Sequence, residues 1–206
     1  KMAITTALGL VFIGVTGMWP DASKTLSQTV VAVLFSILIA LPIGIWLGRR
    51  PRAEAAVSPL LDSLQTIPPL IYAIPFVMIF TVGPVPGIVA AVVYAIPPGI
   101  RLTSLGIRQV NKESIEAATT FGATQRQVLW GVRIPLAMPS IILAVNQMVM
   151  MVLAMAIISG MVGGEGLGYR SVEALTRSNS GLGAEVGIAI VLMATILDRL
   201  SQALAK

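Results

Sequence analysis

Six stretches of this chain stay apolar for about the thickness of a bilayer, and that property removes almost every soluble fold from consideration. A span needs about 20 mostly apolar residues to cross the hydrocarbon layer. Ala3–Trp19 is a slightly short first candidate, followed by Leu26–Gly48, Leu60–Val82, Val85–Leu105, Leu136–Val162 and Leu182–Leu204. The third and fourth are interrupted by prolines and are expected to be broken helices. The chain is 56% hydrophobic and 11% charged, against roughly a quarter charged for soluble domains. The first stretch lacks a small-residue cleavage site before Trp19-Pro20, so it reads as a span and not as a secretory leader. The expected fold is an all-α polytopic membrane bundle of about six spans, forming one domain over residues 1–206.

The basic residues orient this bundle. With the amino terminus inside, Lys1, Arg49, Arg50, Arg52, Arg101, Arg108, Lys112, Arg126, Arg133, Arg199 and Lys206 fall on the cytoplasmic side. Lys24, Arg170 and Arg177 fall outside. Lysine and arginine bias sets topology, and eleven against three places both termini in the cytoplasm. The net charge of +5 therefore orients the chain in lipid, and nucleic acid is not an expected partner. Cysteine and histidine are both absent, which excludes disulfides, thiolate chemistry and histidine metal sites.

Between Asn111 and Pro135 lies a polar, basic insert flanked by apolar spans. Asn111 suits an N-cap, with Glu113 placed favourably in the first turn of a helix running through Phe121. Gly122 suits the C′ position that ends it. Thr124-Gln-Arg-Gln127 has capping-box spacing and starts a second helix carrying Val128, Leu129 and Val132. Pro135 is expected to end the loop. Such a pair either rests on lipid headgroups or receives another protein; exposed Glu113 and Glu116 favour the protein contact.

Within this loop, Glu116-Ala117-Ala118, three residues, Gly122, nine residues and then Val132-Arg133-Ile134-Pro135 resembles the EAA motif of ABC importer permeases. The usual ending is Ile-x-Leu-Pro, so Val132 and Ile134 are apolar departures. Leu41–Arg50, Pro59–Pro68, Ala95–Thr103, Pro135–Ile142, Gly163–Gly168 and Ile196–Gln202 are similar to the permease of glycine betaine/proline betaine importers, over about Leu26 to Ala203. The resemblance implies a type I importer in a bacterial cytoplasmic membrane. It comprises two permeases, two cytoplasmic ATPases that bind ATP and Mg, and an extracytoplasmic substrate-binding protein. It implies ATPase coupling through Glu116, Ala117, Ala118, Gly122, Val132, Ile134 and Pro135. Choline, carnitine or another small solute such as an amino acid is the alternative cargo.

The pathway is expected beside the proline-broken spans, since irregular membrane backbone belongs where protein or a water-filled cavity covers it. Tyr72, Phe76 and Tyr94 are the aromatic candidates for a quaternary ammonium, with ordinary packing as the rival role. Asn146 and Gln147 are deep polar side chains that either line a pore or bond between helices. Met148 and Met151, with Met150, Met155 and Met161, either fill irregular gaps or form a compliant gate. Gly163–Gly168 is expected to be a tight outward-facing turn. No phosphate-loop motif is present, so no cofactor is expected in this chain and ATP hydrolysis is assigned to a partner. A secondary transporter would need ionisable residues at mid-membrane, and a plain channel leaves the loop unexplained.

Overall fold

The protein is described by a computed structural model over residues 2–203, which among those residues contains helices and no strand. Helix α1 spans Met2–Val15 and α2 Trp19–Gly48. The first turn of α2 holds Pro20 and Asp21, a residue with fixed helical φ and a carboxylate that favours the positive end of the helix dipole. It ends ahead of Pro51, because the residue before a proline is pushed out of the helical region; Arg50 sits at φ −130°, ψ 82°. Helices α3 (Pro51–Thr66), α4 (Pro69–Phe80) and α5 (Pro84–Arg108) follow.

The expected third span, Leu60–Val82, is not one helix. Ile67 and Pro68 are extended, and α3 meets α4 at a bend of 89°. Neither Pro68 nor Pro69 has an amide hydrogen to continue a helical ladder. The Tyr72 hydroxyl donates to the Leu64 carbonyl across the bend, tying the two arms. In the fourth span the prolines do the opposite of what was expected: Pro97 and Pro98 are buried inside a continuous α5. Neighbouring helices re-satisfy the freed backbone groups in membrane bundles.

Helix α6 covers Lys112–Thr120 and α7 Gln125–Val128; a π turn, Leu129–Arg133, joins α7 to α8, Ile134–Ser159. After a 3-10 turn at Gly160–Val162 come α9 (Leu167–Thr176) and α10 (Ser180–Ala203). Helix α9 corrects the expectation that the glycine-rich segment is only a turn. The turn closes at Gly166, after which Leu167, Gly168 and Ala174 are buried.

Four described helices are long and apolar enough to cross a membrane: α2, α5, the continuous Gln125–Val162 column and α10. Counting the bent α3–α4 pair as one span makes five. Helix α1 has 14 residues, about 21 Å at 1.5 Å per residue, against a hydrocarbon layer of about 30 Å. The count of six is therefore approximate.

The core forms where α2, α5 and α8 cross. Association inside lipid relies on close packing of small residues, and Gly44 and Gly48, spaced GxxxG, provide it here. A Cβ at Gly44 would lie 2.6 Å from Thr103 Cβ, and one at Gly48 2.8 Å from the Ser104 carbonyl oxygen. Ala40, Leu47, Ala91, Met148 and Val152 fill the same cluster. A second cluster joins α1, α9 and α10 through Ile13, Leu167, Val186 and Met193. The two are closed at one end by the Thr25 hydroxyl, which accepts a buried 2.9 Å bond from the Leu167 amide.

Candidate functional site

The Asn111–Pro135 loop is fixed by local hydrogen bonds, while most of its side chains face solvent. Asn111 Oδ1 accepts the Glu113 amide at 2.9 Å. At the other end of α6, Gly122 N–H bonds to the Thr119 carbonyl at 2.9 Å and Ala123 N–H to the Ala118 carbonyl at 3.1 Å. These are the two bonds of a Schellman cap. Gly122 has φ +82°, where a side chain costs about 1–2 kcal/mol. The capping box at Thr124 is complete: its amide donates to Gln127 Oε1 at 2.8 Å, and its hydroxyl accepts the Gln127 amide.

Helix α6 buries nothing; Glu116 and Ala117 are exposed and Ala118 is half-buried. Phe121, 91% exposed, stands between the two helices, an apolar side chain presented at the capped turn. The spacing argument passed over Phe121; its signal was an aromatic residue ahead of the C′ glycine in a polar loop. The loop is anchored by Val128 and Leu129, both buried.

Pro135 stands where the loop passes into the next span, with no break in the helix. It lies in the first turn of α8, and the chain passes from α7 through the π turn without leaving helical geometry. An interior proline clashes with the carbonyl four residues back and offers no donor to it. The i→i−5 bond from Ile134 N–H to the Leu129 carbonyl widens the turn just before that obstacle. Val132 and Ile134 are half-buried there. Beside the base of the loop, Trp46, Arg49, Arg50, Gln125 and Arg133 surround a cavity of about 150 Å³, with the Arg50 guanidinium 5.3 Å from the Trp46 ring centre.

The pathway candidates occupy different places. Tyr72 is 7% exposed and meets Tyr94 edge-on, ring centres 5.5 Å apart at 63°. Phe76 packs half-buried against the same cluster, as does Met151. Met148 is fully buried against Gly99 of α5. Gln147 alone of the group is exposed, on a cavity shared by α3, α5 and α8.

Asn146 points instead to α10, where its Nδ2 donates to Asp198 Oδ1 at 3.1 Å and its Oδ1 accepts from Ser201. Gln202 also donates to Asp198, at 2.8 Å, so the carboxylate is held by amides and not by Arg199. Interhelical polar pairs in membranes couple by about 0.6 kcal/mol on average and up to about 1.7. A double-mutant cycle of Asn146→Leu and Asp198→Leu is expected to give a coupling in that range, read from unfolding in mixed detergent micelles. Additive losses would show that the pair contributes no mutual stability.

At the far end of the bundle, Arg170 Nε donates to Asp21 at 2.7 Å and its Nη1 to Glu173 at 2.8 Å. The Asp21 bond, then the Glu173 bond, raises the Arg170 pKa above its ordinary value. With Lys24, Glu165 and Tyr169 they line a cavity of about 430 Å³.

The described residues form a bundle of lipid-length helices, from which a capped two-helix loop projects on a helical column continuous with a candidate span. The chain belongs to the binding-protein-dependent transport system inner membrane component family, whose model matches residues 32–206. It is 46% identical over 205 residues to the glycine betaine/proline betaine transport system permease ProW of Escherichia coli, covering all of this chain and 58% of that protein. It is 42% identical over 205 residues to the glycine betaine/carnitine transport permease GbuB of Listeria monocytogenes, covering 73% of that protein. The chain thus spans little more than half the length of ProW. A chain of the inward-facing MetNI methionine ABC transporter superposes with a TM-score of 0.83 at 24% identity, covering 91% of this chain and 94% of its own. At that identity the likeness concerns the fold.

Proposed function

We propose that the chain is the permease portion of an ABC importer that carries glycine betaine and related betaines inward by alternating access. The observation that carries this reading is the exposed, doubly capped loop with Glu116 and Phe121 on its surface, joined without a break to a span. Its occupant in this reading is a cytoplasmic ATPase, which binds ATP and Mg and takes the loop into a groove. A second permease, identical or closely related, completes the pathway, and an extracytoplasmic binding protein delivers substrate to the side bearing Asp21, Arg170 and Glu173. The cargo is supported by the names of the relatives.

The mechanism follows from rigidity. Closure of the ATPases moves the loop, and the column from Gln125 to Val162 carries that displacement through the membrane. Glu116 contacts the ATPase, Gly122 sets the angle between the helices, and Pro135 with the π turn sets the angle at which the column enters the bilayer. Hydrolysis resets the inward state. Both termini and the loop are cytoplasmic in this arrangement.

Labelled glycine betaine uptake by the complete transporter in proteoliposomes tests it. Uptake should require ATP inside the vesicle face that bears the loop, and excess proline betaine should compete while methionine should not. Competition by methionine alone would make this an amino-acid importer, and ATP-independent uptake would remove the ABC assignment.

A further inference from the structure

The geometry points to a transit site for a small zwitterion at the Asp62–Arg101 ion pair, where a substrate carboxylate exchanges with Asp62 on the Arg101 guanidinium. The substrate class rests on the function proposed above; the site itself rests on these side chains. Arg101 lies seven residues before the end of α5, about 10 Å up the helix axis, and so inside the inner half of the bundle. An ionisable group at that depth avoids lipid, pairs with a partner, and marks a substrate or ion pathway. Arg101 donates through Nη2 to Asp62 and to the Ser58 carbonyl at 3.3 Å.

The surroundings are shaped to receive something. Gln65 from α3, Arg101 and Pro98 from α5, and Gln147 with Leu143 from α8 line an open cavity of about 370 Å³. That lies within the range of about 300–1,000 Å³ usual for small-ligand sites. Its lining is mostly apolar, through Pro98, Leu102 and Leu143, with Arg101 and the exposed Gln65 and Gln147 amides as its polar groups. Lipid would strand those amides, so in this reading the opening faces water. Among the described residues, Arg101 Nε is buried with no partner, and its Nη1 donates to no acceptor. A guanidinium offers five N–H donors in a fork that matches a carboxylate, so much of its capacity is uncommitted.

A betaine carries a carboxylate, which accepts, and a quaternary ammonium, which donates nothing. As the carboxylate takes the Arg101 fork, the ammonium comes to rest by the released Asp62 carboxylate. No net charge is added to the site, and each charge keeps a partner. Asp62 and Arg101 are 59% and 37% exposed, and exposed pairs are weak, so the exchange leaves no deep well in which substrate would be trapped. A conducting site has to release what it admits.

The test is saturation-transfer NMR on the permease–ATPase complex without nucleotide or binding protein, using glycine betaine and, as a cation lacking the carboxylate, choline. Glycine betaine should receive at least about fivefold more transfer than choline. Arg101→Gln should abolish the difference, whereas Asp62→Asn, which frees the guanidinium but leaves the ammonium without its carboxylate, should retain a betaine signal above that of choline. Arg101→Lys keeps the charge without the fork and should weaken the betaine signal several-fold, which covers the case of a Gln variant that does not assemble. A merely structural pair predicts otherwise: Arg101→Gln and Asp62→Asn would behave alike, and the double neutral variant would restore the wild type. That pattern, or equal transfer to choline and betaine, overturns the site. The outcome is separable from the proposed cargo. Uptake with no Arg101-dependent transfer overturns the site alone, while Arg101-dependent transfer without glycine betaine uptake retains the site and overturns the cargo.

Discussion

Substrate-stimulated ATP hydrolysis should fall about 30-fold in Glu116→Lys and at least tenfold in Gly122→Val, with the permease still inserted in the membrane. The first figure takes Glu116 as an interface hot spot contributing about 2 kcal/mol. Reversing its charge on an exposed helix leaves α6 intact, because α6 is held by the Asn111 cap and the cap at Gly122. The second acts through the turn. At φ +82° a β-branched residue is strained, and the chain escapes by reopening the cap, which changes the angle between α6 and α7. Nothing lies within 4 Å of a Cβ built at Gly122, so the loss is conformational and not steric. Phe121→Ala should behave like Glu116→Lys, since an aromatic side chain 91% exposed contributes little until a partner covers it. Full stimulation in all three variants, with each at normal abundance, would remove the loop from the coupling path.

Gly160→Val should cost the folded protein itself. A Cβ at this position would stand 2.1 Å from the Gly168 carbonyl carbon and 2.3 Å from the Tyr169 nitrogen. Both are backbone atoms, so no rotamer change relieves the clash. Overpacking costs typically about 1–3 kcal/mol and occasionally more. At about 2–4 °C per kcal/mol for a chain of this size, the upper end lowers the thermal midpoint in detergent by about 6–12 °C. Membrane accumulation should fall with it. Gly187→Ala, where nothing lies within 4 Å, is the control and should match the wild type or exceed it slightly, as alanine is the better helix former. An unchanged midpoint in Gly160→Val would mean that α9 does not pack against the end of α8 as described.

What could be read from the chain was whatever its local chemistry decides. Asn111, Gly122 and the Thr124–Gln127 pair act on their own backbone within a few residues, and each cap formed at the expected position. Span existence was legible because hydropathy is local too. Proline consequences were not, because they depend on the neighbours. Pro68-Pro69 bends the chain by 89° where Tyr72 can tie the arms, whereas Pro97-Pro98 is enclosed in a continuous helix packed against α2 and α8. Helix α9 was hidden because its glycines suggest a turn. Gly168 is small for a different reason: it lies against the Ile157 carbonyl, 2.4 Å from where its Cβ would be. The tie between Asn146 and Asp198 joins residues 52 positions apart, a relation that spacing does not encode. The Asp62–Arg101 pair was missed because charge counting assigned Arg101 to the cytoplasmic rim without asking how far α5 extends beyond it.

The column from Gln125 to Val162 has 38 residues, about 57 Å at 1.5 Å per residue. A strut of that length is a gear. In the proposed orientation it pivots where it enters the bilayer near Pro135, with a short cytoplasmic arm of about ten residues, roughly 15 Å, and a long arm of roughly 40 Å. A push of 1 Å on the short arm therefore sweeps the far tip through nearly 3 Å, on the order of the difference between a closed and a water-wide gap.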